Sequence, residues 1–353
     1  MTTLPRIGSL PAGPLDAITD VPGVTVGHCT LAQGPVQTGV TVLRPHAGDC
    51  FLRKVPAGVA IINGFGKSVG LVQVQELGVL ETPIALTNTF SVGIVATAQI
   101  RAAIAAQPDI GRGLSSVNPL VFECNDGYLN DLHAFAVQEA HYAQALNAAQ
   151  TGFAQGAVGA GRGMSCFGLK GGIGSASCRV DTAAGAFMLG ALVLANFGRP
   201  QALTLAGRRI GPLLAPRLAS TVATAEPERG SIIMLLATDA PLDARQLRRV
   251  AVRAGAGLAR TGSDYGHGSG DIALAFSTAY TVPHAGTAPV QNVVVLHESK
   301  LDPLFEAAAQ ATEQAIVHAL FHAQTVEGRD GHRRMALLEL APDWRELMRN
   351  ARP

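Results

Sequence analysis

Charged and aromatic residues are scarce in this chain. Asp, Glu, Lys and Arg make up 15% of its 353 residues and aromatic residues 5%, whereas 40 residues are glycine. A surface with so few charges often continues into a subunit interface, so we expect a homo-oligomer. The abundance of glycine predicts helices and strands that pack closely through small residues.

The number and spacing of the cysteines argue against a fold held together by disulfides or by a structural zinc ion. The chain has five of them, an odd number, and they are widely scattered: Cys29, Cys50, Cys124, Cys166 and Cys178. None forms a C-x-x-C pair, so the sequence supports neither a disulfide framework nor a zinc ribbon. We expect buried free thiols in a reducing compartment.

Strong charge and long apolar runs are also missing. The formal net charge is +1 and no basic stripe stands out, which argues against a nucleic-acid partner. The best membrane candidate, residues 186–195, is too short to span a bilayer. The first twenty residues lack the apolar core of a signal peptide. We therefore expect a cytoplasmic protein with no membrane partner.

The apolar patterns predict one large α/β domain over residues 1–353, because strands and helices alternate without a linker or a repeat. Residues 156–174 read as a glycine-dense loop, and residues 211–229 as a surface excursion or an interface arm. Predicted strands cover residues 21–28, 38–45, 59–66, 82–90, 119–124, 186–196, 231–241, 272–280 and 290–297. Predicted helices cover residues 66–80 in part, 91–107, 132–149, 243–258 and 303–323.

The segment Gly-His-Gly-Ser-Gly-Asp, residues 266–271, stands directly before a strong strand pattern. It is not a phosphate-binding loop, because the sequence G-x-x-x-x-G-K-[ST] is absent and a strand rather than a helix follows. It is not the G-x-S-x-G elbow of lipases either, because His267 and Asp271 stand where glycines are required. Taken alone, the segment fits either a glycine-rich turn or a nucleophile loop.

Several long segments resemble the L-aminopeptidase/D-esterase family, which also contains the β-peptidyl aminopeptidases. The segment GHGSGDIALAFSTAY, residues 266–280, resembles the nucleophile segment of that family. The likeness continues, in the order expected, through residues 18–28, 38–45, 82–95, 123–131, 170–180, 192–199, 231–241 and 303–316. The resemblance implies a four-layer αββα sandwich of the kind shared with self-processing ornithine acetyltransferases.

The resemblance also implies that the chain cuts itself between Gly268 and Ser269. The large chain 1–268 and the small chain 269–353 would stay associated as one αβ unit of a homo-oligomer. Glycines in the loop would allow the strained backbone that brings the hydroxyl oxygen of Ser269 to the carbonyl of Gly268. The freed α-amino group, with a reference pKa of about 8, would then act as the base for its own hydroxyl. His267 is either a proton shuttle in cleavage or a bystander.

Two asparagines are candidates at strand ends. Asn196 resembles the asparagine that stabilises the oxyanion in family members, and its alternative role is that of a turn residue. Asn63 also follows a strand, and we expect it to line the substrate pocket.

The segment after residue 122 carries three more candidates for substrate binding. Glu123 resembles the acidic residue that faces the free amino group of the substrate in β-aminopeptidases, and the alternative is a solvated carboxylate. Asn125 stands in the same segment, where Cys124 and Asn125 depart from the threonine and aromatic residue expected in the family. Tyr128 would either donate to the reaction intermediate or pack.

Thr312 and Glu313 lie on the long C-terminal helix. Family members place a hydroxyl and a carboxylate near the nucleophile from this region, which implies that this pair orients Ser269 and its ammonium group. An exposed helix face is the alternative.

The expected reaction is the release of N-terminal residues from small peptides, amides or esters through an acyl-Ser269 intermediate. No cofactor or metal is expected, because the histidines are dispersed and H-E-x-x-H is absent. Two alternatives remain open. One is an amidase for a non-peptide amide, such as a pantetheine-like or polyamide compound, and the other is an uncleaved binding protein of the same fold.

Overall fold

Two β-sheets form the middle of the molecule in a computed structural model that describes residues 4–219, 230–286 and 289–352. The strands are β1 Thr25–Gln33, β2 Val36–Arg44, β3 Arg53–Gly64, β4 Val79–Leu80, β5 Ile84–Asn88, β6 Leu120–Cys124, β7 Ser165–Cys166, β8 Leu169–Lys170, β9 Gly172–Thr182, β10 Gly185–Asn196, β11 Thr204–Leu205, β12 Arg208–Arg209, β13 Ser231–Thr238, β14 Gly270–Ser277, β15 Val282–Pro283, β16 Val326–Glu327 and β17 Arg333–Arg334. The helices are α1 Leu71–Leu77, α2 Val92–Ala106, α3 Glu139–Asn147, α4 Gly211–Ala219, α5 Ala244–Arg260, α6 Asp302–Phe321, α7 Leu337–Leu340 and α8 Trp344–Asn350.

The smaller sheet has the strand order β1-β2-β5-β6. Strand β2 is antiparallel to both β1 and β5, and β5 runs parallel to β6. Because β5 and β6 are parallel, their carboxyl ends, Asn88 and Cys124, lie side by side at one end of the sheet. Glu123 lies at that end, next to Cys124.

The larger sheet has the order β15-β3-β14-β13-β10-β9, and β4 pairs with β3. Strand β14, which begins immediately after Ser269, lies between β3 and β13. It is parallel to β13, to which α5 connects it, and antiparallel to β3. The first residue of β14 therefore lies beside the first residue of β13 and the last residue of β3.

Alternating side chains divide the core into three apolar layers. Leu192 and Leu194 face the smaller sheet, whereas Ala191 and Val193 face helices α5 and α6. Helices α2 and α3 cover the outer side of the smaller sheet. The order is thus helices, sheet, sheet, helices, which confirms the predicted four-layer α/β sandwich. Within the described ranges, no helix has both the length and the apolar character that a bilayer crossing requires.

The helix predicted over residues 132–149 is shorter than its pattern indicated. Residues Leu132–Ala134 form a single 3-10 turn, in which the N–H of His133 donates to the side chain of Asp131, and α3 begins only at Glu139. Phe135, between them, has a φ of 43°. A bulky residue in this left-handed region ends a right-handed helix, so the apolar pattern crosses a break that it does not reveal.

The strand predicted over residues 290–297 is wrong. The segment belongs to no strand, and Val290 and Val294 are 71% and 80% exposed. Leu296 is buried, and its N–H donates to the carbonyl of Pro241 at 2.8 Å. A run of β-branched residues favours a strand only where it can pair and pack, and within the described residues this run pairs with no strand.

Two predictions of irregular structure need correction. The glycine-dense segment 156–174 contains β7, β8 and the start of the long strand β9. The predicted excursion 211–229 begins with the helix α4, which ends at Ala219. Residues 220–229 lie outside the described part of the chain.

Candidate active site

Ser269 ends a loop that joins α5 to β14. Its N–H donates to the carbonyl of Gly266 at 2.9 Å, which closes a tight turn over residues 266–269. Gly266, Gly268 and Gly270 all lack a positive φ, so the expected strained backbone is not observed at these positions. A β-carbon at position 270 would lie 2.6 Å from the carbonyl oxygen of Phe65, whereas the space beside Gly266 and Gly268 is open. The glycines therefore provide access and close packing.

Asn63 holds the nucleophile loop in place. It is paired with Asp271 at the end of β3, and its side-chain amide donates to the carbonyls of Gly266, at 2.9 Å, and Ser269. A longer contact of 3.4 Å reaches the carbonyl of His267. Asn63 was predicted to line the substrate pocket. The structure places it against the backbone on both sides of the Gly268–Ser269 bond.

Asp271 contacts Ser269 directly and is not among the candidates that the sequence indicated. The hydroxyl of Ser269 donates to Oδ1 of Asp271 at 2.7 Å. The carboxyl group is fully buried, and this burial raises the pKa of Asp271 to about 6, although the bond from Ser269 opposes the shift. Residues i and i+2 of an extended segment point to the same side, so the spacing Ser-Gly-Asp was a signal that could have found it.

The ends of β3, β13 and β10 lie beside the start of β14, at the end of the larger sheet where Ser269 lies. The register places Asn196, Ser231, Gly270 and Gly64 side by side across β10, β13, β14 and β3. The hydroxyl oxygen of Ser231, another residue that the sequence did not indicate, accepts the N–H of Gly270 at 3.1 Å. Neighbouring strands lie about 4.8 Å apart, so Asn196 lies about 10 Å from Gly270, two strands away.

The side chain of Asn196 is fixed at both ends. Its Oδ1 accepts the N–H of Ser165 at 2.8 Å, and its Nδ2 donates to the carbonyl of Asn125 at 2.9 Å. The second Nδ2 hydrogen remains for another acceptor, since an amide carries two donors. Asn125 itself is exposed, and its side chain accepts the N–H of Gly127.

A buried ammonium group supports the loop that carries Ser165. Nζ of Lys170 donates to the carbonyls of Gly161, Met164 and Gly171 at 2.9, 2.6 and 2.8 Å. Burial lowers the pKa of Lys170. From the sequence alone no role is predicted for Lys170, because a lysine beside two glycines is typical of a solvated loop.

Glu123, on the smaller sheet, lies near strand β14 of the larger sheet. It is 3% exposed, and its Oε1 accepts the N–H of Lys67 at 2.9 Å. A β-carbon at Gly66 would lie 3.4 Å from that oxygen and 4.0 Å from Cδ1 of Ile272 on β14. The carboxylate therefore lies close to β14 and is not a solvated surface group.

Tyr128 packs within a cluster of cationic and aromatic side chains. Its ring stacks on His332, with 4.6 Å between centroids, and the Arg334 guanidinium lies 3.4 Å from its ring centroid. Nε of Arg334 donates to the hydroxyl of Ser165 at 3.1 Å. Tyr128 is thereby connected, through Arg334 and Ser165, to Asn196.

Thr312 and Glu313 lie in the outer helix layer. The hydroxyl of Thr312 donates to the carbonyl of Ala308 within α6, at 2.7 Å. Glu313 pairs with Arg260 at 3.7 Å beside a cavity of about 340 Å³, and burial raises its pKa. These contacts give no support to the role predicted for the pair, which stays a prediction.

His267 is exposed at the tip of the loop. Its ring lies 6.4 Å from the ring of Phe65, tilted by 54°. That position next to an exposed aromatic side chain fits the bystander interpretation.

Comparisons with known proteins agree over nearly the whole chain. The sequence model of peptidase family S58 matches residues 16–334. The β-peptidyl aminopeptidase BapA of Sphingosinicella microcystinivorans is 39% identical over 340 residues, which cover 91% of this chain and 85% of that protein.

Two solved structures share the fold. A Burkholderia sp. β-aminopeptidase is 43% identical, with a TM-score of 0.89 over 99% of this chain and 98% of that one. The L-aminopeptidase D-Ala-esterase/amidase of Ochrobactrum anthropi is 34% identical, with a TM-score of 0.86 over 98% of both chains. It is described as a prototype for the serine aminopeptidases with a variant of the Ntn-hydrolase fold. These likenesses confirm the resemblance seen in the sequence.

Proposed function

The chain belongs to peptidase family S58 and is a serine aminopeptidase, and on that premise we propose that Ser269 activates it by self-cleavage. The Gly268–Ser269 bond is broken, and the new N-terminal serine then releases N-terminal residues from small peptides, amides or esters. The observation that carries this proposal is the position of Ser269, whose hydroxyl is bound to a buried carboxyl group immediately before a central strand.

Self-cleavage converts the backbone amide of Ser269 into an amine. The hydroxyl oxygen attacks the carbonyl carbon of Gly268, and the peptide is transferred from nitrogen to oxygen as an ester. Water then hydrolyses the ester and separates residues 1–268 from residues 269–353. Asn63 supports this step, because it holds the carbonyls of Gly266 and Ser269 on either side of the bond.

Turnover uses the same hydroxyl with a different base. The α-amino group of Ser269 accepts the hydroxyl proton while Oγ attacks the substrate carbonyl, which gives an acyl-enzyme that water hydrolyses. We assign the free N–H of Asn196 to the developing oxyanion, since this side chain is held rigidly at the edge where Ser269 lies. Asn125 supports Asn196 through its carbonyl, and Tyr128 supports it through Arg334 and Ser165.

The carboxylate of Glu123 is the proposed partner of the substrate's free amino group. It is buried beside β14, and an ammonium group there would form a charge-assisted hydrogen bond. This pairing would restrict the enzyme to the N-terminal residue of a peptide, because an internal peptide bond has no free ammonium group beside it.

Two features of the structure support proposals for assembly and location. Val290 and Val294 form an exposed apolar segment, which supports assembly of αβ units into a homo-oligomer. All five cysteines are free and buried, which supports a reducing compartment such as the cytoplasm.

Intact-mass spectrometry of the purified protein tests self-cleavage. We expect two fragments that meet between Gly268 and Ser269 for the wild type and one full-length mass for Ser269→Ala. Ser263→Ala is the matched control, because this serine lies in the same loop and should leave cleavage intact. A wild-type protein that keeps its full-length mass through prolonged incubation would contradict the proposal and favour the binding-protein alternative.

A further inference from the structure

The uncleaved chain needs a base that the mature enzyme does not. Before cleavage, the nitrogen of Ser269 is part of a peptide bond and cannot accept a proton. A serine hydroxyl is a weak nucleophile unless a neighbouring group removes its proton. That group must lie within about 2.6–3.2 Å of Oγ, directly or through one water molecule.

Asp271 meets this distance requirement. Its Oδ1 lies 2.7 Å from the hydroxyl oxygen of Ser269, which donates to it. The group is held on β14 between two strands, so its position is fixed by the sheet. Its other oxygen, Oδ2, is buried and has no hydrogen-bond partner within the described residues. A carboxylate with only one of its oxygens hydrogen-bonded is more basic than one that is fully solvated.

We infer that Asp271 is the catalytic base of self-cleavage in the uncleaved chain. This role rests on the proposed function and deepens it, because it names the group that activates Ser269 before the α-amine exists. Oδ1 takes the hydroxyl proton as the bond between Oγ and the carbonyl carbon of Gly268 forms. The carboxylic acid then returns the proton to the nitrogen of Ser269 as the carbon–nitrogen bond breaks. The ester and a free amine result, and the carboxylate is regenerated.

The other titratable groups near Asp271 make different contacts. From the loop, Tyr265 donates its hydroxyl to the carbonyl of Gly255, and His267 is exposed with its ring 6.4 Å from the ring of Phe65. From β6, the thiol of Cys124 donates to the carbonyl of Leu194 at 3.6 Å, and Glu123 accepts the N–H of Lys67. Strands β3 and β13 present Asn63 and Ser231 to the site, and neither of these titrates. Asp271 is the carboxyl group in contact with Oγ.

The protonation of Asp271 sets an expected pH dependence. Burial raises the pKa of Asp271 to about 6, so the carboxylate form that can accept a proton dominates above that pH. Self-cleavage should therefore be fast and nearly constant above about pH 7 and should slow roughly tenfold for each pH unit below about 6.

The rate of self-cleavage in full-length chains made by cell-free synthesis tests the role. We expect Asp271→Asn to slow cleavage by about 100-fold or more, which is the usual contribution of a general base. Asp239→Asn is the matched control, since burial also raises the pKa of Asp239 but it lies beyond the opposite end of β13. His267→Gln should keep both the wild-type rate and the wild-type pH profile.

Chemical rescue separates a base from a residue that only shapes the site. Formate should accelerate cleavage of Asp271→Ala, where it can occupy the vacated space, but not of Asp271→Asn, where the amide fills that space. Cleavage of Asp271→Asn within threefold of the wild-type rate would overturn the role while leaving the proposed function intact. A wild-type chain that never cleaves would instead overturn the proposed function.

The pH profile decides the matter if the substituted chains do not fold. Circular dichroism and a cooperative thermal transition establish whether they do. In that case a wild-type cleavage rate that is constant from pH 5 to pH 8 would overturn the role of Asp271, and a rate that falls below about pH 6 in both the wild type and His267→Gln would support it.

Discussion

Glu123 and Asp271 are carboxyl groups that the fold removes from water, and one oxygen of each accepts a hydrogen bond, from the N–H of Lys67 and from the hydroxyl of Ser269 respectively. Their surroundings differ. Glu123 accepts a backbone N–H, whereas Asp271 accepts a hydroxyl, and burial raises the pKa of Asp271. The first is suited to hold a cation and the second to accept a proton. Two carboxyl groups on facing sheets can thus take different roles in one site.

At the scale of the residue, Glu123→Gln should weaken the binding of substrates with a free amino group. The loss of a hydrogen bond between charged groups costs about 1.5–3 kcal/mol, so we expect KM to rise about tenfold or more while kcat changes less. Steady-state kinetics with an aminoacyl amide measures this. A des-amino analogue of the substrate should react equally slowly with the wild type and the variant.

Glu81→Gln is the matched control for that experiment. Glu81 is also buried and accepts a backbone N–H, from Asn118 at 2.6 Å, but it precedes β5, at the end opposite the site. Its substitution should leave KM unchanged. An equal rise in KM for both variants would contradict a specific contact between Glu123 and the substrate.

At the scale of the element, glycines allow helix α6 to lie directly on the larger sheet. A β-carbon at Gly174 of β9 would lie 1.9 Å from the carbonyl oxygen of Ala315 and 2.6 Å from the nitrogen of Ala319. A β-carbon at Gly58 of β3 would likewise lie 2.3 Å from the backbone nitrogen of Arg248 in α5. The outer helices therefore rest on strand backbone, as the high glycine content of the sequence predicted.

Gly174→Ala should destabilise the protein, because backbone atoms cannot move aside as flexible side chains do. Overpacking costs about 1–3 kcal/mol and more where the obstacle is rigid, so we expect at least the upper part of this range. Urea denaturation measures the effect, in the Ser269→Ala background so that one chain unfolds.

Gly93→Ala is the opposite case and serves as the control. Gly93 lies inside α2 with open space around it, so alanine should stabilise the protein by about 0.5–1 kcal/mol. If Gly174→Ala proved as stable as Gly93→Ala, the close approach of α6 to β9 would be contradicted.

At the scale of the whole molecule, the proposed small chain is built into the middle of the fold. Strand β14 lies between β3 and β13, which both belong to the large chain. Helix α6 packs on β9 and β10, and the segment before α6 buries Leu296 and Leu301 in the same core. The proposed cleavage before Ser269 would cut a surface loop and leave these contacts in place.

The two chains should therefore stay together after cleavage. In native size-exclusion chromatography we expect one peak that contains both fragments, at the elution volume of uncleaved Ser269→Ala. Denaturant should separate them, since it removes the apolar burial that holds β14 and α6. A small fragment that elutes separately under native conditions would contradict the central position of β14.

The sequence determined the α/β class and most strands and helices through local patterns, namely β-branched runs and helical spacing. The family came from the resemblance of long segments, and Ser269 as the nucleophile stays a prediction. The local patterns were wrong at two places, where order depends on residues distant in the sequence. Residues 290–297 have the pattern of a strand but belong to none, and the helix expected from residue 132 begins at Glu139.

Only the tertiary structure decided which polar groups surround Ser269. Asn63, Ser231 and Asn196 come together because the register of β3, β13 and β10 aligns their ends with β14. The hydroxyl of Thr312 donates to a carbonyl of its own helix, and the role predicted for Thr312 stays a prediction. The spacing of residues along a chain fixes which side a side chain takes within one element. Which elements then lie side by side is fixed by packing over the whole fold, and that information is not local.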